Sequence, residues 1–320
     1  MSSADHKWEV DQMAKLTPSD VHIDTALSNI LIAYKNDDYI ADKIFPVVPV
    51  KKRSDKYFIF DKGDWFRDEA GLRAPGTIGP QGGFSLTSST YECKEYSFTT
   101  YVEDEVRENA DNPLQPDQDA TAFAMDKILL RRERIVASMV FSSSNWTSST
   151  TLSGTTQWSD FANSDPIGNI ETAKETIRGL IGRYPNTMVM GAAVWSKLKQ
   201  HPDLLARFQN VERGILTLDM LKDLFEIDNI FVGKAIYNTA AEGATDSFSD
   251  VWGKACWIGY VTPRPGLREP SAGYIFQVND IKVERWREAP EKRDAFRVLA
   301  YFDAKVTSAD SGYYIAAAVA

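Results

Sequence analysis

The sequence is poor in the residues that most often carry out chemistry in proteins. Its 320 residues include only 2 Cys and 3 His. The two cysteines, Cys93 and Cys256, lie far apart and make no disulfide framework, so a reducing compartment is expected. The sequence has no C-x-x-C pair, no H-E-x-x-H motif and no glycine-rich phosphate-binding loop. It therefore predicts no metal, no cofactor and no catalytic residue.

Long apolar runs and an excess of basic residues are also missing. No run approaches the roughly 18 apolar residues that suggest a membrane span, and the start, Met1–Asp5, does not resemble a signal peptide. The formal net charge of −9 excludes a broadly basic face for nucleic acid. We expect a protein that is made in the cytoplasm, has no membrane partner and touches DNA only by non-specific contact.

The remaining candidates for chemistry have simpler structural explanations. His201 precedes a proline at a helix junction, where a capping or surface role is expected rather than catalysis. His6 and His22 lie in an irregular leader. The acidic runs Glu103–Glu105 and Asp37–Asp38 are interpreted as solvated charge, although paired acids can do acid–base work or bind calcium.

Aromatic residues are abundant, at 12%, which suits large buried surfaces in a core or at an interface. Residues 1–50 form an irregular leader with a weakly helical stretch at Asp24–Tyr34. The segment Ile44–Val50 is apolar but interrupted by prolines, which predicts an extended edge segment. An apolar arm of this kind is often stabilised by a neighbouring subunit. The residues expected at that contact are Phe45, Val47 and Val48.

Residues 51–103 have the pattern of a long β excursion. The first predicted strand is Tyr57–Phe60, and two later stretches with alternating apolar residues extend it to Val102. The alternation changes parity just after Cys93, which predicts a bulge or bend. Between the first two strands, Gly71–Gly83 contains five Gly and two Pro and is predicted to be a flexible tip. The aromatic and charged residues near that tip are Trp65, Phe66 and Arg67.

The strongest helical pattern covers residues 117–141, after Pro116. At about 1.5 Å per residue this helix would be roughly 35 Å long. Three arginines in its second half form either a surface salt-bridge face or a stripe that pairs with an acidic neighbour across a subunit interface. These arginines are Arg131, Arg132 and Arg134.

The rest of the chain divides into three parts. Residues 142–164 are rich in Ser and Thr and are either a low-complexity linker or a β hairpin around Ser153–Gly154. Residues 165–240 alternate helix and strand, which predicts a compact α/β unit. Residues 250–320 return to β structure and end in a strand that ties down the chain. The candidate strands there are Ala255–Val261, Tyr274–Val278, Ile281–Trp286, Phe296–Lys305 and Tyr313–Val319.

Two passages and the order of the parts resemble a known family. Ala41–Val50 is similar to an arm segment, and Tyr184–Leu198 to a strand followed by a short helix, in the major capsid proteins of tailed bacteriophages with the Hong Kong ninety-seven type fold. The resemblance implies an α+β fold. Its implied parts are an N-terminal arm at residues 1–50, a long β E-loop at 51–103, a P-domain at 104–164 with its spine helix at 117–141, an α/β A-domain at 165–250, and a return to the β-rich P-domain and the A-domain edge strands at 251–320.

The resemblance also implies a function and partners. The chain would assemble with itself, as hexamers and pentamers, into the icosahedral head shell that encloses phage double-stranded DNA. It would reside in the virion capsid after assembly in the bacterial host cytoplasm. The arm and the E-loop would lie across neighbouring copies, and Trp65, Phe66 and Arg67 near the tip of the E-loop are the residues expected to make that contact. Because the arm begins near Met1, a separate scaffolding protein is implied, and a portal and decoration proteins are further expected partners.

Two alternatives remain open at this point. An encapsulin-type nanocompartment shell protein has the same fold and would enclose a cargo enzyme instead of DNA. A two-domain α/β enzyme would use His201 and nearby acids in a cleft between residues 165–240 and the C-terminal strands. A monomer with a deep polar pocket would favour the enzyme.

Overall fold

The computed structural model of the protein describes residues 36, 39–60, 62–110, 114–207, 216–266 and 270–320. Several sequence-based predictions lie outside the described residues, namely the stretch Asp24–Tyr34, the acids Asp37–Asp38, and His6 and His22. The helices of the described residues are α1 (Ala41–Ile44), α2 (Lys62–Phe66), α3 (Asp104–Glu108), α4 (Pro116–Val140), α5 (Pro166–Ile181), α6 (Ala192–Leu198), α7 (Pro202–Arg207) and α8 (Leu218–Phe225). The strands are β1 (Val47–Val50), β2 (Ser54–Phe60), β3 (Leu86–Glu92), β4 (Lys94–Glu103), β5 (Ser148–Thr151), β6 (Thr187–Gly191), β7 (Asn229–Gly233), β8 (Ile236–Asn238), β9 (Phe248–Asp250), β10 (Cys256–Gly259), β11 (Gly273–Glu288), β12 (Arg293–Val306) and β13 (Gly312–Ala316).

A four-stranded sheet supports the long helix α4. Its strands run in the order β1-β11-β12-β4, with β1 parallel to β11 and the other neighbours antiparallel. Pro116 opens the helix at a position where its missing N–H would have no partner anyway, and acidic residues in the first turn favour the helix dipole. Alternate residues of β12, such as Val298 and Phe302, are buried in one cluster with the apolar side of α4. The helix predicted at 117–141 is confirmed, shifted by one residue at each end.

A five-stranded mixed sheet forms the other half of the fold. Its strands run in the order β5-β13-β10-β6-β7, and the pairs β5–β13 and β6–β7 are parallel. The central strand β10 and its neighbour β6 are buried along their whole length. Helices α5, α6 and α8 cover the sheet and bury Ile170, Leu198 and Phe225 with it. The alternation of helix and strand predicted for residues 165–240 is confirmed.

Residues 142–164 join the two halves. They form neither the low-complexity linker nor the hairpin that were predicted, because β5 pairs in parallel with β13, a strand more than 150 positions away in the chain. Trp146 is buried against Trp257, with ring centroids 5.2 Å apart, and its Nε1–H donates to the carbonyl of Val140 at 2.8 Å. A Cβ at Gly312 would lie 2.5 Å from the Trp146 ring, so only glycine fits there. The burial of Trp146 therefore holds this segment in place. The Ser/Thr-rich composition of the segment did not indicate such packing.

Two of the predicted C-terminal strands are one element. Tyr274–Val278 and Ile281–Trp286 both lie in β11, which pairs with β12 on both sides of a register shift between Val278 and Lys282. Asn279 adopts a positive φ of 58° inside this shift. The local irregularity of a bulge therefore produced the gap between the two predicted strands.

The predicted β excursion is a two-stranded hairpin, β2–β3, with α2 and the Gly/Pro tip between its strands. Its base is attached to the body because Tyr57 and Tyr91 are buried against Phe276, at ring distances of 5.4 and 4.6 Å. The chain changes partner at Cys93, where the predicted bend occurs. The third predicted strand, β4, pairs with β12 and is part of the four-stranded sheet. We call residues 54–92 the hairpin.

The described part of the arm lies on its own chain. β1 forms the edge of the four-stranded sheet, a position that tolerates the missing backbone N–H of Pro49. Phe45 is 0% exposed, and its ring occupies the space that a side chain at Gly273 would fill, 2.5 Å from the position of such a Cβ. Val48 is buried as well, and Val47 is half-buried. The expectation that Phe45 and Val48 contact a neighbouring subunit is therefore corrected: they are core residues.

Candidate assembly surface

The hairpin carries a concentration of exposed apolar side chains. Leu72 is 103% exposed and Ile78 is 84% exposed, although both lie in the Gly/Pro tip. Soluble monomers seldom expose large contiguous apolar patches, and such patches mark interaction sites. The sequence signal was two isolated aliphatic residues between glycines, which sequence reasoning passed over. The other exposed apolar residues of the hairpin are Phe58, Ile59, Trp65, Phe66, Phe84 and Leu86.

The three predicted contact residues of the hairpin are close together. Trp65 and Phe66 end helix α2, and both are 64% exposed. The Trp65 ring lies 6.3 Å from that of Phe84. Arg67 follows directly, and its guanidinium donates to Glu69 at 3.0 Å. Their role in assembly stays a prediction, but all three lie on an exposed surface.

The three predicted arginines of α4 do not form one stripe. Arg131 is exposed. The Arg134 guanidinium lies over the ring of Tyr237 at 4.1 Å. Arg132 is buried, and its guanidinium binds the carboxylate of Asp42 in the same chain at 2.6 Å. The proposed intersubunit role of Arg132 is therefore corrected, because its acidic partner is supplied by the chain's own arm.

Glu133 connects the arm to the helix, and sequence reasoning missed it. Its side chain is 1% exposed and accepts three hydrogen bonds: from the backbone N–H of Ile40 at 3.0 Å, from that of Ala41 at 2.8 Å, and from Nε1–H of Trp252 at 2.6 Å. Burial raises the pKa of Glu133, and the three donors oppose that rise. The sequence did contain one indication. Glu133 lies four positions before the buried Ala137, so the two residues share one face of the helix.

A cluster of charges fixes the far end of the four-stranded sheet. Asp294 is buried and accepts hydrogen bonds from Arg285 at 2.5 Å, Arg107 at 2.9 Å and Arg287 at 3.4 Å. Arg107 also binds Asp117 in the first turn of α4, at 2.8 Å. The hydrogen bond from Arg285, followed by the charges of the surrounding arginines, holds the pKa of Asp294 below its usual range. The cluster ties α3, α4, β11 and β12 together.

Among the described residues considered for chemistry, His201, Cys93 and Cys256 are buried within the fold. His201 is completely buried; its Nδ1 accepts from the backbone N–H of Asp203 at 3.3 Å, and its Nε2 lies 3.0 Å from the hydroxyl of Ser164. The capping role is confirmed and the surface role is wrong. Burial lowers the pKa of His201. Burial also raises the pKa of the Cys93 thiol to about 11 and that of Cys256 further.

Within the described ranges, no group of three or more His, Cys, Asp and Glu side chains is arranged to hold a metal ion. In the same residues, we find no helix with the length and apolar character needed to cross a bilayer.

Comparison with known proteins identifies relatives along nearly the whole chain. The family model described as phage major capsid protein E matches residues 145–262. The major capsid protein of Burkholderia phage BcepMu is 34% identical over 303 residues, which cover 92% of this chain and 95% of that protein.

Solved structures show the same fold. A phage-related protein from Bordetella bronchiseptica superposes with a TM-score of 0.71 at 30% identity and covers 89% of this chain and 93% of its own. A chain from the capsid of the cyanophage P-SCSP1u gives a TM-score of 0.62 at 12% identity, with 93% of each chain covered. The predicted α+β phage capsid fold is thus confirmed. By its similarity to the BcepMu protein along most of both chains, the protein belongs to the family of phage major capsid proteins.

Proposed function

We propose that the chain packs against copies of itself, as hexamers and pentamers, to form the icosahedral shell that encloses phage double-stranded DNA. The observation that carries this proposal is the hairpin, whose tip exposes Leu72 and Ile78 to solvent. Burying one such side chain stabilises a contact by about 1.5–3 kcal/mol. A contact that every copy makes with its neighbour adds this gain at each interface of the shell.

Shell assembly takes place in the bacterial host cytoplasm, and the product is the virion capsid. The net charge of −9 gives a wall that repels DNA weakly, so the packaged DNA is held by enclosure and touches the chain only non-specifically. The proposed partners besides further copies of the chain are a separate scaffolding protein, a portal and decoration proteins. The chain acts as a building element without catalysis or cofactor.

The two alternatives are less well supported. The curated relative of 34% identity is a capsid protein of a phage, which favours a DNA-containing shell over an encapsulin-type compartment. The two-domain enzyme needs His201 in a cleft, but this side chain is buried between Ser164 and helix α7.

Electron microscopy of the purified chain tests the proposal. We expect closed shells of uniform diameter above a threshold protein concentration. Particles recovered from a phage lysate should in addition contain DNA that resists added nuclease. A chain that stays monomeric at every concentration, even with the scaffolding protein of its phage, would contradict the proposal. Nuclease-resistant particles that hold a protein cargo instead of DNA would favour the compartment alternative.

A further inference from the structure

Helix α2, at the far end of the hairpin stem, rests on the five-stranded half of its own chain. Lys62 Nζ donates to the carboxylate of Asp310. The Phe66 ring lies over Gly182, the residue that ends helix α5, and its edge is 3.3 Å from the position that a Cβ would take there. Gly182 has a φ of 69°, a left-handed conformation that favours glycine, and any Cβ at this position would push the Phe66 ring away by a few tenths of an ångström.

Asp310 is held in place without help from the hairpin. It lies in a short 3-10 turn, Ala309–Ser311, directly before β13. The hydroxyl of Thr147 donates to its Oδ1 at 2.6 Å, and the backbone N–H of Thr147 donates to Ala309 at 3.2 Å. Burial disfavours the charged carboxylate, but the hydrogen bonds from Lys62 and Thr147 outweigh burial, and the pKa of Asp310 is lowered. Thr147 therefore already positions the carboxylate acceptor where Lys62 arrives.

Helix α2 is joined to both strands of the hairpin. It follows β2 directly, and Asp64 accepts hydrogen bonds from the backbone N–H and the hydroxyl of Ser85, at 2.7 and 2.6 Å, just before β3. This closes the loop between residues 64 and 85. The position of α2 therefore decides the direction in which the tip points.

The hairpin has a first attachment at its base, where the Tyr91 ring stacks on Phe276 and the Tyr57 ring packs against it at a tilt. A two-stranded ribbon held at one end alone can swing and twist, since isolated hairpins are marginal in water. A ribbon that is held at the base and again at α2 keeps one direction.

We infer that the ion pair between Lys62 and Asp310 and the contact of Phe66 with Gly182 form a second attachment of the hairpin. This attachment sets the direction in which the tip leaves the subunit, and thereby the angle between neighbouring copies in the shell. The inference rests on the proposed function, because the angle matters only where the tip contacts another copy. An exposed ion pair contributes little to folding. Its loss should therefore leave the fold intact while freeing the hairpin.

The test uses Lys62→Gln and Asp310→Asn, with Lys56→Gln as a control on the same hairpin. Hydrogen exchange of unassembled chains, isolated by size-exclusion chromatography, should be faster in residues 58–66 of both variants, on the order of 3- to 10-fold, and unchanged in the control. Shells of both variants, seen by electron microscopy, should have a broader distribution of diameters. The double exchange Lys62→Asp with Asp310→Lys should restore both properties.

The outcomes separate this inference from the proposed function. Exchange rates equal to those of the control would overturn the second attachment. Faster exchange with shells of unchanged diameter would overturn its role in setting direction, while shell formation itself would still support the proposed function. A chain that forms no shells under any condition contradicts the proposed function instead, and the exchange measurement on unassembled chains still decides whether the attachment exists.

Discussion

At the scale of single residues, the arm is held by one buried carboxylate. Glu133 accepts from two backbone N–H groups of the arm and from Trp252, so a single side chain connects three segments that are distant in sequence. Arg132, which directly precedes Glu133 on the helix, adds an ion pair with Asp42 of the arm. The adjacent charges on α4 thus act within the subunit, which leaves Arg131 to face solvent.

We predict that Glu133→Ala lowers the free energy of unfolding by about 3 kcal/mol, because three buried donors lose their acceptor. Denaturant unfolding of the unassembled chain measures the change. Glu242→Ala is the matched control, since Glu242 is exposed, and its effect should stay within about 0.5 kcal/mol. Equal effects of the two substitutions would show that Glu133 is not a connecting residue.

The charge cluster around Asp294 gives a prediction about pH. A carboxyl whose pKa is lowered in the folded chain stabilises it above the ordinary carboxyl pKa, and this stability is lost as the pH falls through the lowered value. We expect Asp294→Asn to lower stability by about 2 kcal/mol at pH 7 and the difference from the parent to shrink below about pH 4. Thermal unfolding across this pH range measures it. A difference that is constant with pH would mean that packing, and not charge, is responsible.

At the scale of elements, the hairpin exposes apolar side chains that its own subunit does not cover. We predict that Leu72→Ser with Ile78→Ser leaves the melting temperature of the unassembled chain unchanged, because both side chains already face solvent. The concentration needed for shell formation should rise at least 10-fold, since two apolar contacts per copy are lost. Light scattering during assembly reports this threshold.

The control for the tip variant is Phe248→Ser, which removes an exposed apolar side chain from β9, outside the hairpin. It should leave the threshold within a factor of about 2, because scattered surface apolar residues are normal. If the tip variant and the control assemble alike, the tip is not a contact surface.

Elements defined by local pattern could be predicted from the sequence, whereas their distant partners could not. The spacing of apolar residues revealed α4 and the alternation in residues 165–240, because a helix or a buried strand determines its own pattern. Pairing of β1 with β11 joins Val47 to Ile275, and nothing near Val47 encodes it. For the same reason, Phe45 was wrongly predicted to contact a neighbouring subunit. An apolar arm has the same sequence pattern whether it packs on its own chain or on another.

At the scale of the whole molecule, identical copies carry identical charge. With −9 on each chain, neighbouring subunits repel one another, and salt screens that repulsion over about 10 Å at 0.1 M. We predict that the threshold concentration for assembly falls as sodium chloride is raised from about 0.02 to 0.3 M. Light scattering at several salt concentrations, with sucrose of equal osmolarity as the control, measures the trend. A threshold that rises with salt would show that attractive ion pairs dominate the contacts between copies.

Both native thiols are shielded within the fold, Cys93 beneath the hairpin base and Cys256 in the centre of the five-stranded sheet. A maleimide dye added to the folded protein should therefore find no reactive target in the parent chain. A cysteine introduced at the exposed tip, by Gln81→Cys, becomes a unique labelling position without any prior mutagenesis of the background. Fluorescence from that position would follow each subunit as it joins a growing particle.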